Sequence, residues 1–121
     1  MVIEYIRYRV DADRHEKFER AYADAGAPLA ASSHCLSYEV ARGVEEPDSY
    51  IVRIEWDSLE GHEQGFRQSP EFREFFASVQ PFVHEIEEMR HYELLFASAE
   101  RSTDAATLRL APEDVLNERS S

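Results

Sequence analysis

The side chain best suited to acid–base chemistry in this sequence is His62. It follows Leu59 by three residues and precedes Phe66 by four, so in a helix the three side chains share one face. Because imidazole titrates near neutral pH, a histidine on an inward face can act as a general base. The alternative interpretation is a histidine at the margin of the helix, hydrogen-bonded to backbone or solvent.

Aromatic residues near His62 predict an apolar wall beside it. Trp56 could stack on a ligand ring, while Tyr38 and Tyr50 could hydrogen-bond a ligand oxygen from the floor of a sheet. The predicted catalytic residues are His62, Trp56 and Tyr50, and the predicted substrate-binding residues are Tyr38, Phe66, Phe72 and Phe76. Core packing with a satisfied hydroxyl or ring N–H is the alternative for the tyrosines and the tryptophan.

The remaining histidines are weaker candidates. His34 and His84 fall in predicted loops, and His15 lies in the first turn of a predicted helix, where we expect it to be solvated. His91 alternates with Tyr92 along the last predicted strand and is expected to point away from the helices. The sequence shows no metal-ligand spacing, phosphate-binding glycine loop or nucleophile triad, so we expect no metal site.

The composition narrows the class of protein. The 121 residues carry 25 acidic and 13 basic side chains, a formal net charge of −12, which disfavours nucleic acid and anionic membrane surfaces as partners. The single cysteine, Cys35, cannot form an intrachain disulfide and is expected to be a buried, inert thiol. No stretch approaches the roughly 18 apolar residues of a spanning helix, and no signal peptide is visible. These features predict a cytoplasmic protein.

Hydrophobic periodicity predicts four strands and two main helices. Alternation with period two marks the strands, and apolar residues at three- and four-residue spacing mark the helices. The predicted elements in chain order are a strand at 2–10, a helix from Asp13 to near Gly26 and Pro28, strands at 35–42 and 50–56, a helix from Pro70 to Pro81, and a strand at 86–96. A helix at residues 85–90 is the alternative for the last element.

Local signals predict where the helices begin and how regular they are. Asp13 and Glu16 have the spacing of a capping box for the first helix. Ser69, followed by proline, is a strong start signal for the last helix. The segment between the hairpin and that helix is expected to be short or irregular, because Gly61 and Gly65 each cost roughly 1 kcal/mol of helix stability relative to alanine.

The order β-α-β-β-α-β predicts an α+β fold of the ferredoxin-like type, with two helices on one face of a four-stranded antiparallel sheet. The helix side is expected to bury Phe18, Tyr22, Phe72, Phe75, Phe76, Val79, Leu36, Val40, Val52 and Ile54. The opposite face is expected to carry Ile3, Tyr5, Ile51 and Met89 among paired charges. A second sheet would cover these apolar residues, which predicts a homodimer whose sheets form a barrel; a monomer with one wet face is the alternative.

The aromatic residues end before position 97, which predicts a domain at 1–96 and a tail at 97–121 that is flexible or partly helical. Within the domain, the segment from Cys35 to Val40, the strand end Ile54-Glu55-Trp56, and the run from Trp56 through Ser69-Pro70-Glu71-Phe72 resemble the antibiotic biosynthesis monooxygenase family. The resemblance covers residues 1–96. It implies a dimeric α+β barrel and the cofactor-independent oxidation of an aromatic or quinol-like small molecule.

The sequence also departs from the pattern that the resemblance implies. Many members of the family have a histidine nine residues after the strand-end tryptophan and another just after the Ser-Pro pair, where this chain has Gly65 and Glu71. The asparagine, tryptophan and histidine that the resemblance would imply for haem degradation are absent, although haem remains possible as a ligand. The alternative function is therefore a non-catalytic ligand-binding or accessory module of the same fold.

Overall fold

A computed structural model describes residues 1–98 and contains the six predicted main elements. They are β1 (Val2–Arg9), α1 (His15–Ala31), β2 (Cys35–Arg42), β3 (Ser49–Trp56), α2 (Pro70–Val79) and β4 (Ile86–Glu93). The strands form one antiparallel sheet in the order β2-β3-β1-β4, so the predicted ferredoxin-like fold is confirmed. No helix among the described residues is long and apolar enough to cross a membrane.

Helix α1 differs from its prediction at both ends. It runs through Gly26 and Pro28 to Ala31 instead of stopping near the proline. Pro28 and Leu29 are buried, so packing offsets the backbone hydrogen bond that proline removes. The predicted capping box does not form, because Asp13 lies inside a short 3₁₀ turn and neither N-cap residue makes a side-chain cap hydrogen bond.

A β-bulge in β4 reverses the predicted orientation of its side chains. Tyr8 pairs with Ile86, while the preceding Arg7 pairs with Glu88, so Glu87 is an extra residue on β4. Because side chains alternate with period two, one extra residue moves every later side chain to the other face. Met89 and His91 therefore lie on the helix side of the sheet, and the predictions that placed them on the opposite face are wrong.

The core lies between the helices and the central strands. Phe18, Tyr22, Phe75, Val79, Val52 and Ile54 are buried there as predicted. Leu36 and Val40 are exposed instead, because β2 is an edge strand of the sheet, and Phe76 on α2 is also partly exposed. The last strand ends at Glu93 rather than at Phe96. The predicted tail at 97–121 lies outside the described residues from position 99 onward.

The start of α2 agrees with its prediction in detail. The Ser69 hydroxyl accepts a hydrogen bond from the Phe72 backbone N–H at 3.2 Å and donates one to the Phe66 carbonyl at 2.6 Å. Pro70 occupies the first turn, where its missing N–H costs nothing. Ser69 thereby joins two segments that both contribute phenylalanines to the interior.

Replacing Ser69 by alanine removes this cap. We expect Ser69→Ala to lower the free energy of unfolding by about 1 kcal/mol, as measured by urea denaturation. Glu74→Ala, an exposed change in the same helix, is the matched control and should change it by less than about 0.5 kcal/mol. Equal stability of the two variants would contradict the capping role.

Candidate active site

A cavity of about 260 Å³ lies between the helix side of the sheet and α2. Its wall is mainly aromatic and aliphatic, with Phe66, Phe72, Phe75, Phe76, Val79, Ile86 and Met89 among the lining residues. The Phe66 and Phe72 rings meet edge to face, with 5.6 Å between their centroids. Such packing gives a largely apolar space that can hold a small aromatic ligand.

A buried polar cluster interrupts this apolar wall. The Trp56 indole Nε1–H donates a hydrogen bond to Glu4 Oε1 at 3.0 Å, and His62 Nε2 lies 3.5 Å from the same oxygen. The Trp56 and His62 rings are stacked, with 4.4 Å between centroids. All three residues are at most 3% exposed. Two strands and one helical segment therefore bring an acid, a base and an indole to a single point.

His91 extends the cluster toward the surface. Its Nε2 atom is hydrogen-bonded to His62 Nδ1 at 3.0 Å, and the strand register places it directly opposite Glu4. His91 is only partly buried and also lines a surface groove with Asp57 and Ser58. The three groups Glu4, His62 and His91 thus form a continuous path from the cavity to the surface.

Burial dominates the electrostatics of the cluster. It raises the pKa of the Glu4 carboxyl, although the hydrogen bond from Trp56 and the nearby charges of His91 and Arg67 act in the opposite direction. Burial, reinforced by the positive charges of Arg67 and His91, lowers the pKa of His62 to about 4. His62 is therefore a neutral imidazole near pH 7, and its surroundings disfavour a positive charge on the ring.

A second polar pair lies elsewhere on the cavity wall. The hydroxyls of Tyr8 and Tyr22 are 2.6 Å apart and hydrogen-bonded, and both residues line the cavity. Burial raises the pKa of Tyr8 to about 12 and also raises that of Tyr22, so both phenols are neutral. The cavity can therefore offer hydroxyl groups to a ligand oxygen in addition to the acidic cluster.

A short π-helix, Gly61–Gly65, presents His62 to the cavity. It starts where the Ser58 hydroxyl accepts a hydrogen bond from the Gly61 backbone N–H at 2.8 Å. The His34 imidazole is hydrogen-bonded to Asp57 Oδ2 at 2.9 Å and packs so closely on this helix that a Cβ atom on Gly65 would clash with it. The irregular segment expected from the glycines is confirmed, and His34 gives one reason why glycine is needed there.

Comparison with known proteins agrees with this architecture. The profile of the antibiotic biosynthesis monooxygenase family matches residues 1–78. The chain belongs to this family. An uncharacterized Bacillus subtilis (strain 168) protein, YczJ, is 26% identical over 93 residues, which are 77% of this chain and 98% of YczJ. The resemblance predicted from the sequence is therefore confirmed.

Solved structures share the fold of this chain. A candidate antibiotic biosynthesis monooxygenase from Bordetella bronchiseptica has a TM-score of 0.65 and 22% identity, covering 78% of this chain and 97% of its own. A mutant of SnoaB, described as a cofactor-independent oxygenase from Streptomyces nogalater, has a TM-score of 0.67 and 18% identity, with coverages of 82% and 97%. At these identities the likeness establishes the fold.

The structure brings together five of the seven site residues that were predicted for this member of the antibiotic biosynthesis monooxygenase family. His62, Trp56, Phe66, Phe72 and Phe76 all line the cavity. Tyr38 and Tyr50 do not; they line a separate groove beside α1. The Tyr50 hydroxyl donates a hydrogen bond to Glu19 Oε2 at 2.6 Å, so the prediction that it would face a substrate together with His62 is corrected.

Three polar residues of the site were missed by the sequence analysis. Glu4 was detectable, because it occupies an inward position of β1 between Val2 and Ile6. His91 was assigned to the wrong face because the bulge is not visible in the pattern. Arg67, which also lines the cavity, follows the π-helix and carried no signal of its own. The expectation of no metal-ligand set overlooked Glu4, His62 and His91, whose donor atoms lie within 4.8 Å of one another.

The other reactive side chains lie outside the cavity. The prediction that His15 is solvated is wrong. Its Nε2 atom contacts the Val10 carbonyl at 3.0 Å and Asp48 Oδ1 at 2.9 Å. Cys35 is partly buried, and burial raises the pKa of its thiol to about 11, which is consistent with the inert role expected for it.

The low pKa of His62 predicts a pH-dependent stability. Between about pH 6.5 and pH 4 the unfolded chain binds a proton at His62 that the folded chain does not, so stability falls as the pH decreases. We expect the wild type to lose about 1–2 kcal/mol more unfolding free energy between pH 7 and pH 5 than His62→Gln. Urea denaturation of both proteins with a chelator present measures this difference; identical pH profiles would be inconsistent with a neutral His62.

Proposed function

We propose that this chain is an oxygenase that oxidises a small aromatic or quinol-like molecule without a flavin or a metal. The observation that carries the proposal is the buried Glu4–Trp56–His62 cluster on the wall of an aromatic cavity. A phenolic substrate needs a base to form the phenolate and a dry space in which dioxygen reaches it. Membership of the family and the structural likeness to a cofactor-independent oxygenase support this chemistry.

In the proposed reaction the Glu4–His62 pair is the general base. The phenolic proton passes to this pair, and the hydrogen bond between His62 and His91 gives it a route to the surface. Arg67 lines the cavity, and its positive charge favours the phenolate oxygen that remains. Trp56 fixes the Glu4 carboxylate by its hydrogen bond and holds the His62 ring by stacking.

The substrate supplies all the electrons in the second step. The phenolate gives an electron to dioxygen, and the two radicals combine at the ring carbon that is an activated CH₂ group in the keto tautomer of the substrate. That carbon becomes a carbonyl with one oxygen atom, while the other oxygen leaves as water with the two hydrogens of the CH₂ group. The sum of substrate CH₂ and O₂ equals product C=O and H₂O, so no external reductant is needed. The aromatic wall excludes bulk water from the intermediates.

The size of the cavity restricts the substrate. A cavity of about 150 Å³ accommodates benzene, so the space of about 260 Å³ in this protein fits one ring or two fused rings. The Tyr8–Tyr22 hydroxyl pair offers a second polar contact, which favours a ligand with oxygen atoms at two positions. Quinol-like phenols of one or two fused rings, whose keto tautomer has an activated CH₂ group, are therefore the substrates to test first.

Oxygen uptake by the chelator-treated protein with these compounds tests the proposal. We expect Glu4→Gln to lower kcat by about 100-fold or more, because the amide keeps the shape of the side chain but cannot accept the proton. His84→Gln, an exposed histidine outside the cavity, is the control and should retain the wild-type rate. Ligand binding by the wild type without oxygen uptake would instead favour the non-catalytic binding module.

We also propose that two copies of the chain associate through the face of the sheet opposite the helices. Tyr5 and Tyr92 meet edge to face there, with 5.6 Å between centroids, and are 37% and 50% exposed. The arginines of this face are paired within the chain; Arg7, for example, lies 3.1 Å from Glu88. A second copy could bury the tyrosines without leaving these charges unpaired.

The oligomeric state is tested by light scattering after size-exclusion chromatography. The wild type should have twice the mass of one subunit. Tyr5→Lys should give a single subunit, because association would bury an added positive charge that its neighbours Arg53 and Arg90 cannot pair. Val44→Lys, in an exposed turn, should leave the dimer intact. A monomeric wild type at micromolar concentration would refute the association.

A further inference from the structure

Glu4, His62 and His91 form a compact group of potential metal ligands. Each comes from a different element, namely β1, the π-helix and β4, and their donor atoms all lie within 4.8 Å of one another. The nitrogen atoms His62 Nδ1 and His91 Nε2 are 3.0 Å apart. Two ligand atoms about 2.1 Å from one ion and at right angles to each other have nearly this separation. The spacing of this pair therefore suits an ion as well as a hydrogen bond. Glu4 Oε1 lies 3.5 Å from the other ring nitrogen, His62 Nε2, so binding of one ion by all three groups requires the Glu4 side chain to move toward His62 Nδ1.

The chemistry of the three groups selects the type of ion. Two imidazoles and one carboxylate are the ligands of non-haem iron(II) sites and of many zinc sites, whereas Ca²⁺ and Mg²⁺ prefer oxygen ligands alone. Glu4 supplies the negative charge that the ion requires, and both Glu4 and His62 face the cavity. An ion at this point would keep any remaining coordination positions accessible from the cavity.

Neighbouring residues support two of the three ligands. Trp56 donates a hydrogen bond to Glu4 Oε1 and stacks on the His62 ring, which limits the movement of both side chains. His91 is partly buried beside a surface groove lined by Asp57, Ser58 and Glu93, which provides an acidic route for a cation. Arg67 acts in the opposite direction, because its positive charge reaches both Glu4 and His62.

We propose that Glu4, His62 and His91 bind one divalent first-row transition-metal ion through a carboxylate oxygen and two imidazole nitrogens. The ion uses the groups that act as the base in the metal-free reaction, so metal binding and that reaction exclude each other. This site goes beyond the proposed function. Binding of the ion can be measured without any substrate, and metal-free turnover can be measured with a chelator, so the two proposals can fail separately.

Titration of the chelator-treated full chain with Co²⁺ and Zn²⁺ tests the site. Calorimetry should show one ion per chain, and the Co²⁺ complex should have visible absorption bands that change when Zn²⁺ displaces it. Glu4→Gln and His91→Gln should each weaken binding by at least about 100-fold, since each removes one ligand. His84→Gln is the matched control and should bind like the wild type, and Arg67→Gln should bind more tightly because a repelling charge is gone.

Circular dichroism of each variant shows whether it is folded. His91 is only partly buried, so His91→Gln keeps the test informative if Glu4→Gln does not fold. The absence of stoichiometric binding by the folded wild type would overturn the proposal. Binding that is unchanged in both His91→Gln and folded Glu4→Gln would also overturn it, because the ion would then lie elsewhere on the acidic surface.

Discussion

The burial of a single carboxylate, that of Glu4, constrains the arrangement around it. A carboxylate that is 3% exposed beside an apolar cavity costs several kcal/mol unless polar partners surround it. Trp56 donates a hydrogen bond to this carboxylate, His62 lies 3.5 Å from it, and His91 lies directly opposite on the neighbouring strand. Three local features bring a neighbour to this carboxylate. They are the strand end at Trp56, the π-helix at His62 and the bulge before His91.

Sequence patterns predicted the fold well because the fold depends on local regularities. Alternation located the four strands, and Ser69 with Pro70 located the start of α2, where the expected cap forms. Prediction failed where tertiary packing overrides a local signal. Helix α1 continues through Pro28 because the surrounding residues are buried, and Leu36 and Val40 are exposed because their strand lies at the edge of the sheet.

The candidate site was harder to predict because its members are brought together only by the folded chain. His62, Trp56 and the phenylalanines could be chosen by their types, but Tyr50 was assigned to the same site and lies elsewhere, bonded to Glu19. Glu4 was overlooked although it stands among inward apolar positions of β1. A charged residue in such a position is a useful warning, because it costs free energy unless the fold provides partners for it.

The bulge at Glu87 has an evolutionary consequence. Side chains of β4 alternate between the interior and the opposite face of the sheet, and the extra residue Glu87 sets which of them point inward. Deleting Glu87 would turn His91 and Met89 away from the interior without any substitution. A relative of similar sequence but without this insertion would carry Arg90 and Tyr92 inward, and so would have a different internal surface. The gain or loss of one residue can thus change several internal side chains at once. Alignments of this group are therefore best checked against strand pairing before equivalent residues are compared.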